Sequence, residues 1–399
     1  MELSTRITQV VGGGDDGWGV FYKARAMRDA GHPVIMLSIG DHDIKTDAAI
    51  LGAMTASMEG GNLGYSTIDG SAGLRGAIAE RFTARSATPA GPDNVVVTPG
   101  GQAALFTAMM AALDPGQSAV VLDPYYATYS QTVRAASGRP ITVACRAEDG
   151  FQPDAAAIEA ACESDTRAVL INSPNNPTGA IYRPDRLAAL VELCARRGMW
   201  LISDEVYDTQ VWDATYRSVR DLPGAAERTL VVNSMSKSHA MTGSRIGWVL
   251  APREAQARMA DLLIATNYGV PGFIQDAAEF ALRHGQATED GVVERYRTRR
   301  AVALATLANA PGIRVVPPEG GMYVMLDIRA TGLSGTAFAE TLLERELIGV
   351  MPGESFGEAA AGHLRVALTV PEEPLRDALS RIARLARELA ETGPLRATA

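Results

Sequence analysis

The chain has 399 residues, 47% of them hydrophobic and 21% charged, enough to bury one large core or two moderate ones. Its formal net charge of −9 and lack of any basic run argue against nucleic acid or an anionic membrane as the main partner.

The N-terminal segment MELSTRITQVVGGGDDGW has no basic stretch followed by an apolar run, and no window of about 18 apolar residues occurs anywhere. A cytoplasmic location with no membrane partner is therefore expected. From about residue 92 to 280 the runs NVVVT (94–98), SAVVL (118–122), RAVLIN (167–172), MWLIS (199–203), TLVVN (229–233) and GWVLA (247–251) alternate with amphipathic segments such as QAALFTAMMAAL and RLAALVELCARR. Continuous Val/Ile/Leu runs separated by helical patterns predict an α/β architecture, a mostly parallel sheet with helices on both faces. Cys145, Cys162 and Cys194 are odd in number and widely spaced, without a CxxC pair. They read as small core residues of a reducing compartment, and no metal site is expected. After about residue 305, GIRVV, MYVMLDI and HLRVAL read as short strands, with helices expected over 335–347 and 374–391 and a frayed tail GPLRATA. The expected organisation is a large domain over 46–305 and a smaller α+β domain formed by 1–45 together with 306–399.

In open α/β sheets ligands bind beyond the carboxyl ends of the strands. Here those ends carry TPGGQ, NSPNNPTG, SDEVY and SMSK, which would converge on one crevice. Taken singly, each has a plain reading. NNPTG suits a turn, Asp204 could cap a helix, and a Gly-Gly pair opening a helix is often only a turn, although it also lets backbone N–H groups meet a phosphate.

Lys237 is harder to explain away, because only Lys23, Lys45 and Lys237 among the 37 basic residues are lysines. Arginine stays protonated in a protein, whereas a lysine near another cation, here Arg245, can lose its proton and form a Schiff base. An aldehyde that condenses with lysine, carries a phosphate and has a ring nitrogen for Asp204 to hold protonated satisfies all four loops. That ligand is pyridoxal 5'-phosphate.

In order and spacing, LSIGDHD, YSTIDGSAGLR, TPGGQAAL, DPYYATY, NSPNNPTG, SDEVY, SMSKSHAMTGSRIGW and HLRVAL resemble the class I/II family of fold-type I pyridoxal-phosphate aminotransferases. The resemblance implies a mostly parallel seven-stranded sheet and a ping-pong transfer of the amino group from an L-amino acid to a 2-oxo acid. It also implies roles. Lys237 matches the Schiff-base and proton-moving lysine, and Asp204 the carboxylate on the pyridine nitrogen. Asn176 and Tyr207 match donors to the ring's phenolic oxygen, and Tyr126, rather than Tyr125, the stacking ring. Gly101, Gln102, Ser234, Ser236 and Arg245 match the phosphate cradle. Arg365 matches the arginine that takes the substrate α-carboxylate, with Gly40 beside it. Tyr65 matches a tyrosine that reaches the phosphate of a neighbouring subunit, implying a homodimer with shared sites. His239, Met241 and Trp248 have no common role in the family and read as packing.

For the substrate, NYGVPGFIQ (267–275) carries no arginine and Gln102 stands where a lysine could hold a second carboxylate, which disfavours an aspartate-type donor. SKSHAMTG, GFIQDAA and AAGHLRVAL resemble bacterial arginine–pyruvate transaminases, implying arginine or another non-acidic donor and pyruvate as acceptor. Asp15 and Asp16 in GGGDDG are candidate carboxylates for a cationic side chain; a solvated loop is the alternative. GDHDIKTD departs from the family's GxPDF pattern, with His42 for a proline and Ile44 for an aromatic, near where the substrate side chain is expected. Aspartate or aromatic aminotransferase, a β-lyase or a racemase remain alternatives on the same scaffold. A transcriptional effector sensor would need about 90 residues of DNA-binding module before residue 40 and is, with the acidic net charge, not expected.

Overall fold

The computed structural model describes residues 1–12 and 17–392; the Asp15/Asp16 expectation falls outside them. The largest sheet has seven strands in the spatial order Val95–Thr98, Gly247–Leu250, Thr229–Ser234, Trp200–Asp204, Thr166–Asn172, Ser118–Asp123 and Arg139–Ala144. Five of the strands pair in parallel, while Gly247–Leu250 runs antiparallel to both its neighbours.

The apolar runs are continuous because both faces are covered. Val121, Leu170, Ile202 and Val232 pack with the helices Gly101–Ala112 and Arg253–Thr266. Their sequence neighbours Val120, Val169, Ile171 and Leu201 face the helix Pro184–Arg197 on the other side, as the two-residue period of a strand requires. The six expected strands are present. Arg139–Ala144, which composition did not announce, is the seventh: it lies at the edge, only Val143 of its residues is buried, and it contains Pro140, a residue sheets tolerate at edges.

A second hydrophobic cluster joins Val20, Ala24, Val34 and Leu37 to residues between 292 and 389. Its strands Met351–Pro352, His363–Ala367, Tyr323–Asp327 and Arg314–Val316 form an antiparallel sheet. The helices Gly335–Glu346 and Glu372–Thr392 lie close to their expected bounds. In the latter, Leu375, Leu379, Ile382, Leu385 and Leu389 are buried, the stripe an amphipathic helix turns toward a core.

The segment after Leu37 crosses between the two clusters, and it is tied down by charge. Arg299, fully buried on the helix Gln286–Leu307, donates to both carboxylate oxygens of Asp43 at 2.9 and 2.7 Å and to the Leu368 carbonyl. His42 Nε2 lies 3.1 Å from the Ser236 carbonyl and Nδ1 2.9 Å from Tyr296 Oη. A carbonyl only accepts, so Nε2 carries the hydrogen and Nδ1 accepts from the tyrosine. Burial, helped by the Lys237 charge, pushes the imidazole down to about 4. His42 therefore braces the Ser236–Lys237 turn from behind and does not line the neighbouring cavity, in contrast to the expectation that it lies beside a substrate side chain.

Candidate active site

The carboxyl ends of Val95–Thr98, Thr166–Asn172, Trp200–Asp204 and Thr229–Ser234 open into a cavity of about 430 Å³. Its wall includes Gly40, Gly101, Gln102, Tyr126, Asn176, Asp204, Tyr207, Ser234, Ser236, Lys237, Arg245 and Arg365. Of the residues singled out in the sequence, Tyr65 is not in this wall. It is 90% exposed and stacks edge-on against Tyr268, with centroids 5.0 Å apart. Tyr125 also lies outside it, whereas Tyr126 is in it.

Lys237 sits in the short helix Met235–Ser238, whose first turn is capped by Ser234 Oγ accepting from the Ser236 N–H at 3.1 Å. Its Nζ donates to the Gly40 carbonyl. Gly40 admits no side chain, since a Cβ there would collide with Tyr323 Oη. Nearby, Arg245 takes a left-handed backbone conformation, φ 50°, and donates to the Thr242 carbonyl at 2.8 Å. A methyl on Gly100, at the entry to the helix Gly101–Ala112, would strike the Arg245 guanidinium. Gly247 is needed for the same approach, because a Cβ would fall 2.7 to 2.8 Å from the Gly100 and Gly101 backbone. The helix N-terminus, the Ser234 and Ser236 hydroxyls and the Arg245 guanidinium thus form one face suited to a phosphate. The Gln102 side chain turns partly aside, donating to Thr132 Oγ1 at 2.7 Å and accepting from Thr128 Oγ1 at 2.9 Å.

Asp204 is 4% exposed. Its Oδ2 accepts from Tyr129 Oη at 2.6 Å and its Oδ1 from the Val206 N–H at 3.2 Å. Burial dominates over these donors and pushes the carboxyl up to about 6. Asn172 Nδ2 donates to the Asp204 carbonyl at 2.9 Å, and its Oδ1 accepts from the Asn176 N–H at 2.7 Å, which locks two of the loops together.

Arg365 is 1% exposed and lies between the Tyr323 and Phe356 rings, 4.2 and 4.3 Å from their centroids. It donates to Asn176 Oδ1 at 2.9 Å and to the Ser38 carbonyl, while its Nε has no partner. No carboxylate among the described residues pairs with Lys237, Arg245 or Arg365. Three cations thus surround a space bordered by two carboxylates, Asp204 and Asp41. This charge balance, with a bare Nε on a buried guanidinium, suits a ligand set that brings two anionic groups. A phosphate at the Arg245 face and a ring cation at Asp204 meet the first half, so the residues present fit pyridoxal phosphate.

Sequence reasoning missed Tyr129, Asn172, Tyr323 and Phe356. Tyr129 is the third aromatic of DPYYATY and meets the second edge-on, with centroids 5.7 Å apart; the repeated tyrosine was the available signal. Tyr323 Oη accepts from Tyr207 Oη at 3.3 Å, a contact across 116 residues that no local pattern shows. Met241 and Trp248 are buried in the core, as expected. His239 is also buried, with Nε2 3.8 Å from Glu289 and Nδ1 2.8 Å from Ser238 Oγ, away from the cavity. Among the described residues no cluster of three or more His, Cys, Asp or Glu could hold a metal ion, and no helix is long and apolar enough to cross a membrane.

The chain matches the family model described as aminotransferase class I and II over residues 32–382. It is 42% identical over 389 residues to the arginine–pyruvate transaminase AruH of Pseudomonas aeruginosa, spanning 98% of this chain and 99% of that protein. The aspartate/prephenate aminotransferase of Thermus thermophilus is 36% identical over 368 residues, 91% of this chain and 94% of that one. A single mutant of Thermus thermophilus aspartate aminotransferase has a similar solved structure, with a TM-score of 0.90 at 34% identity, covering 96% of this chain and 100% of that one.

The Asp204 environment predicts a pH dependence. Its carboxyl is raised by burial, so it is ionised above about 6 and neutral below, and only the ionised form can pair with a cationic ring nitrogen. Affinity of the cofactor-free protein for pyridoxal phosphate should fall as pH drops through that value, by up to about tenfold per pH unit. Fluorescence titration checks this; a profile unchanged by Asp204→Asn would contradict it.

Proposed function

Since this chain belongs to the class I and II aminotransferases, which depend on pyridoxal phosphate, we propose that it moves the amino group of arginine or another non-acidic L-amino acid to pyruvate. The observation that carries the reading is Arg365, a guanidinium in the core with an open Nε and no carboxylate partner among the described residues. A buried charge without a counter-ion is costly, and an α-carboxylate, common to amino and 2-oxo acids, supplies the missing pair in two-pronged form.

When bound, pyridoxal phosphate supplies an aldehyde for the amine and a ring that delocalises negative charge from Cα. The rest belongs to the chain. Ser234, Ser236, Arg245 and the N–H groups at Gly101 and Gln102 would hold the phosphate, and Asp204, oriented by Tyr129 and the Val206 N–H, would keep the ring nitrogen protonated. Tyr126 would cover the ring, while Asn176 and Tyr207 would donate to its phenolic oxygen. Arg365 and Gly40 would orient the α-carboxylate, and Lys237 Nζ, held on the Gly40 carbonyl beside them, would be the group that accepts and gives up the proton of Cα. Binding and orientation are thus shared between both sheets.

Two features favour a non-acidic donor. The three cations of the cavity all have partners in this scheme, leaving none for a second carboxylate, and Gln102 and the arginine-free 267–275 segment supply no other. The similarity to the arginine–pyruvate transaminase over nearly the whole chain points the same way. The aspartate/prephenate aminotransferase relative supports a dicarboxylate donor instead, and the lack of a further cation weighs against it.

We also infer a cytoplasmic homodimer in which Tyr65 of each copy reaches the Arg245 face of the other. Tyr65, Leu63, Tyr268 and Ile264 are exposed apolar side chains of a kind that monomers rarely cluster at the surface. Light scattering should return twice the 42.2 kDa chain mass, and a Tyr65→Ala variant should bind the cofactor more weakly; a monomer of full activity would refute the dimer.

The function itself is tested by mixing the loaded enzyme with single amino acids and following loss of the cofactor's visible absorbance. Arginine and uncharged donors should bleach it and aspartate should not; bleaching by aspartate alone would overturn the donor reading. Lys237→Ala should lower turnover by on the order of 10²–10⁴ and leave no borohydride-fixed adduct by mass spectrometry.

A further inference from the structure

One charged group in the cavity wall has no part in this scheme. Asp41 lies at the exposed rim, where its Oδ1 accepts from Thr242 Oγ1 at 2.9 Å, and it forms no ion pair with any described residue. Its position along the chain is informative. Ser38 meets the Arg365 guanidinium through its carbonyl, and two residues later the Gly40 carbonyl meets Lys237 Nζ. The segment 38–41 therefore runs past the carboxylate-binding end, then the lysine, and arrives at the rim with Asp41.

Three residues of chain span at most about 10 Å, a distance suited to an amino acid with its carboxylate on Arg365 and a second polar group at the end of a long side chain. Trp18 and Ile39 line the same cavity and offer apolar surface to the methylenes of such a side chain, in the way that long cationic side chains lie along apolar walls with their charge at the edge. Asp204, the other carboxylate of the wall, is buried and committed to Tyr129 and the Val206 N–H. Thr242, which holds Asp41, belongs to the turn whose carbonyl also fixes Arg245, so the carboxylate is oriented by the same structure that forms the phosphate face.

We propose that Asp41 is a specificity-determining residue that pairs with the cationic end of the donor side chain, a guanidinium or an ammonium on a three- or four-carbon stem. This rests on the non-acidic donor reading above and narrows it to cationic donors. An ion pair at a rim is screened by water and salt, so its contribution is modest and sensitive to ionic strength.

The test compares kcat/KM for L-arginine and L-norleucine in the wild-type holoenzyme, Asp41→Asn and Asp41→Glu. Norleucine offers a similar stem without charge. In Asp41→Asn the arginine-to-norleucine ratio should fall by about two- to fivefold, through KM rather than kcat, and the rise of the arginine KM with salt should flatten. Asp41→Glu should recover most of the ratio, which a merely structural role would not require. A ratio and salt response unchanged in Asp41→Asn would overturn the assignment of Asp41 while leaving the donor reading intact. A wild-type enzyme that uses norleucine but neither arginine nor lysine would overturn the Asp41 pairing while leaving a non-acidic donor in place, whereas one that uses aspartate alone would overturn the donor reading as well; the wild-type measurement alone identifies both cases.

Discussion

The site depends on a positive charge buried without a matching negative one. Arg365 comes from the strand His363–Ala367, yet the groups around it come from four other places: Ser38 from the crossing segment, Asn176 from a strand-end loop of the large sheet, Tyr323 from the adjacent strand and Phe356 from a turn. Two aromatic faces and two oxygens stabilise the guanidinium enough to keep it folded inside, but they leave Nε unsatisfied. A fold would gain by replacing such a residue with an apolar one unless the charge meets something in function. The ligand that completes it must be anionic, planar at the anion and small enough to share the cavity with Lys237.

The opposite end of the cavity follows converse logic. Asp204 is a buried acid whose local donors, one tyrosine and one N–H, do not compensate its desolvation, so its affinity for a proton is raised. A bound cation relieves that cost. The Arg245 face and Asp204 therefore suit a ligand that is anionic at one end and cationic at the other, and Lys237 lines the same cavity. Such preorganised charges are effective because they need not reorient as the reaction proceeds. Ordering of the crossing segment matters equally: the Arg299–Asp43 pair and the His42 bridge hold residues 38–43 against the lysine-bearing turn, so Arg365 and Lys237, which meet the Ser38 and Gly40 carbonyls, are set relative to each other.

Much of this was legible in the sequence because it is local. Strands covered on both faces are written as unbroken apolar runs, and the polar residues at their ends mark the crevice, so Asp204 and Lys237 stand out by strand position and residue type, whereas Asn176, in a segment that suits a plain turn, is singled out only by the family resemblance. The antiparallel direction of Gly247–Leu250 and the proline-bearing edge strand Arg139–Ala144 were not legible, since pairing direction has no periodic signature and an edge strand lacks an apolar run. Tyr129 and Tyr323 were missed for another reason. Each acts on a partner 75 or 116 residues away, and a buried hydroxyl is indistinguishable in sequence from a core aromatic. His42 shows the reverse error, because a conspicuous residue at an unusual place turned out to brace the backbone from outside the cavity.

If Arg365 receives the α-carboxylate, the most direct measurement compares the best L-amino acid donor with its decarboxylated amine. In the wild-type enzyme kcat/KM should strongly favour the amino acid. In Arg365→Ala, verified as folded by circular dichroism, that preference should fall by at least about thirtyfold, with the amine affected far less. A preference that survives the substitution unchanged would place the carboxylate elsewhere and contradict the account.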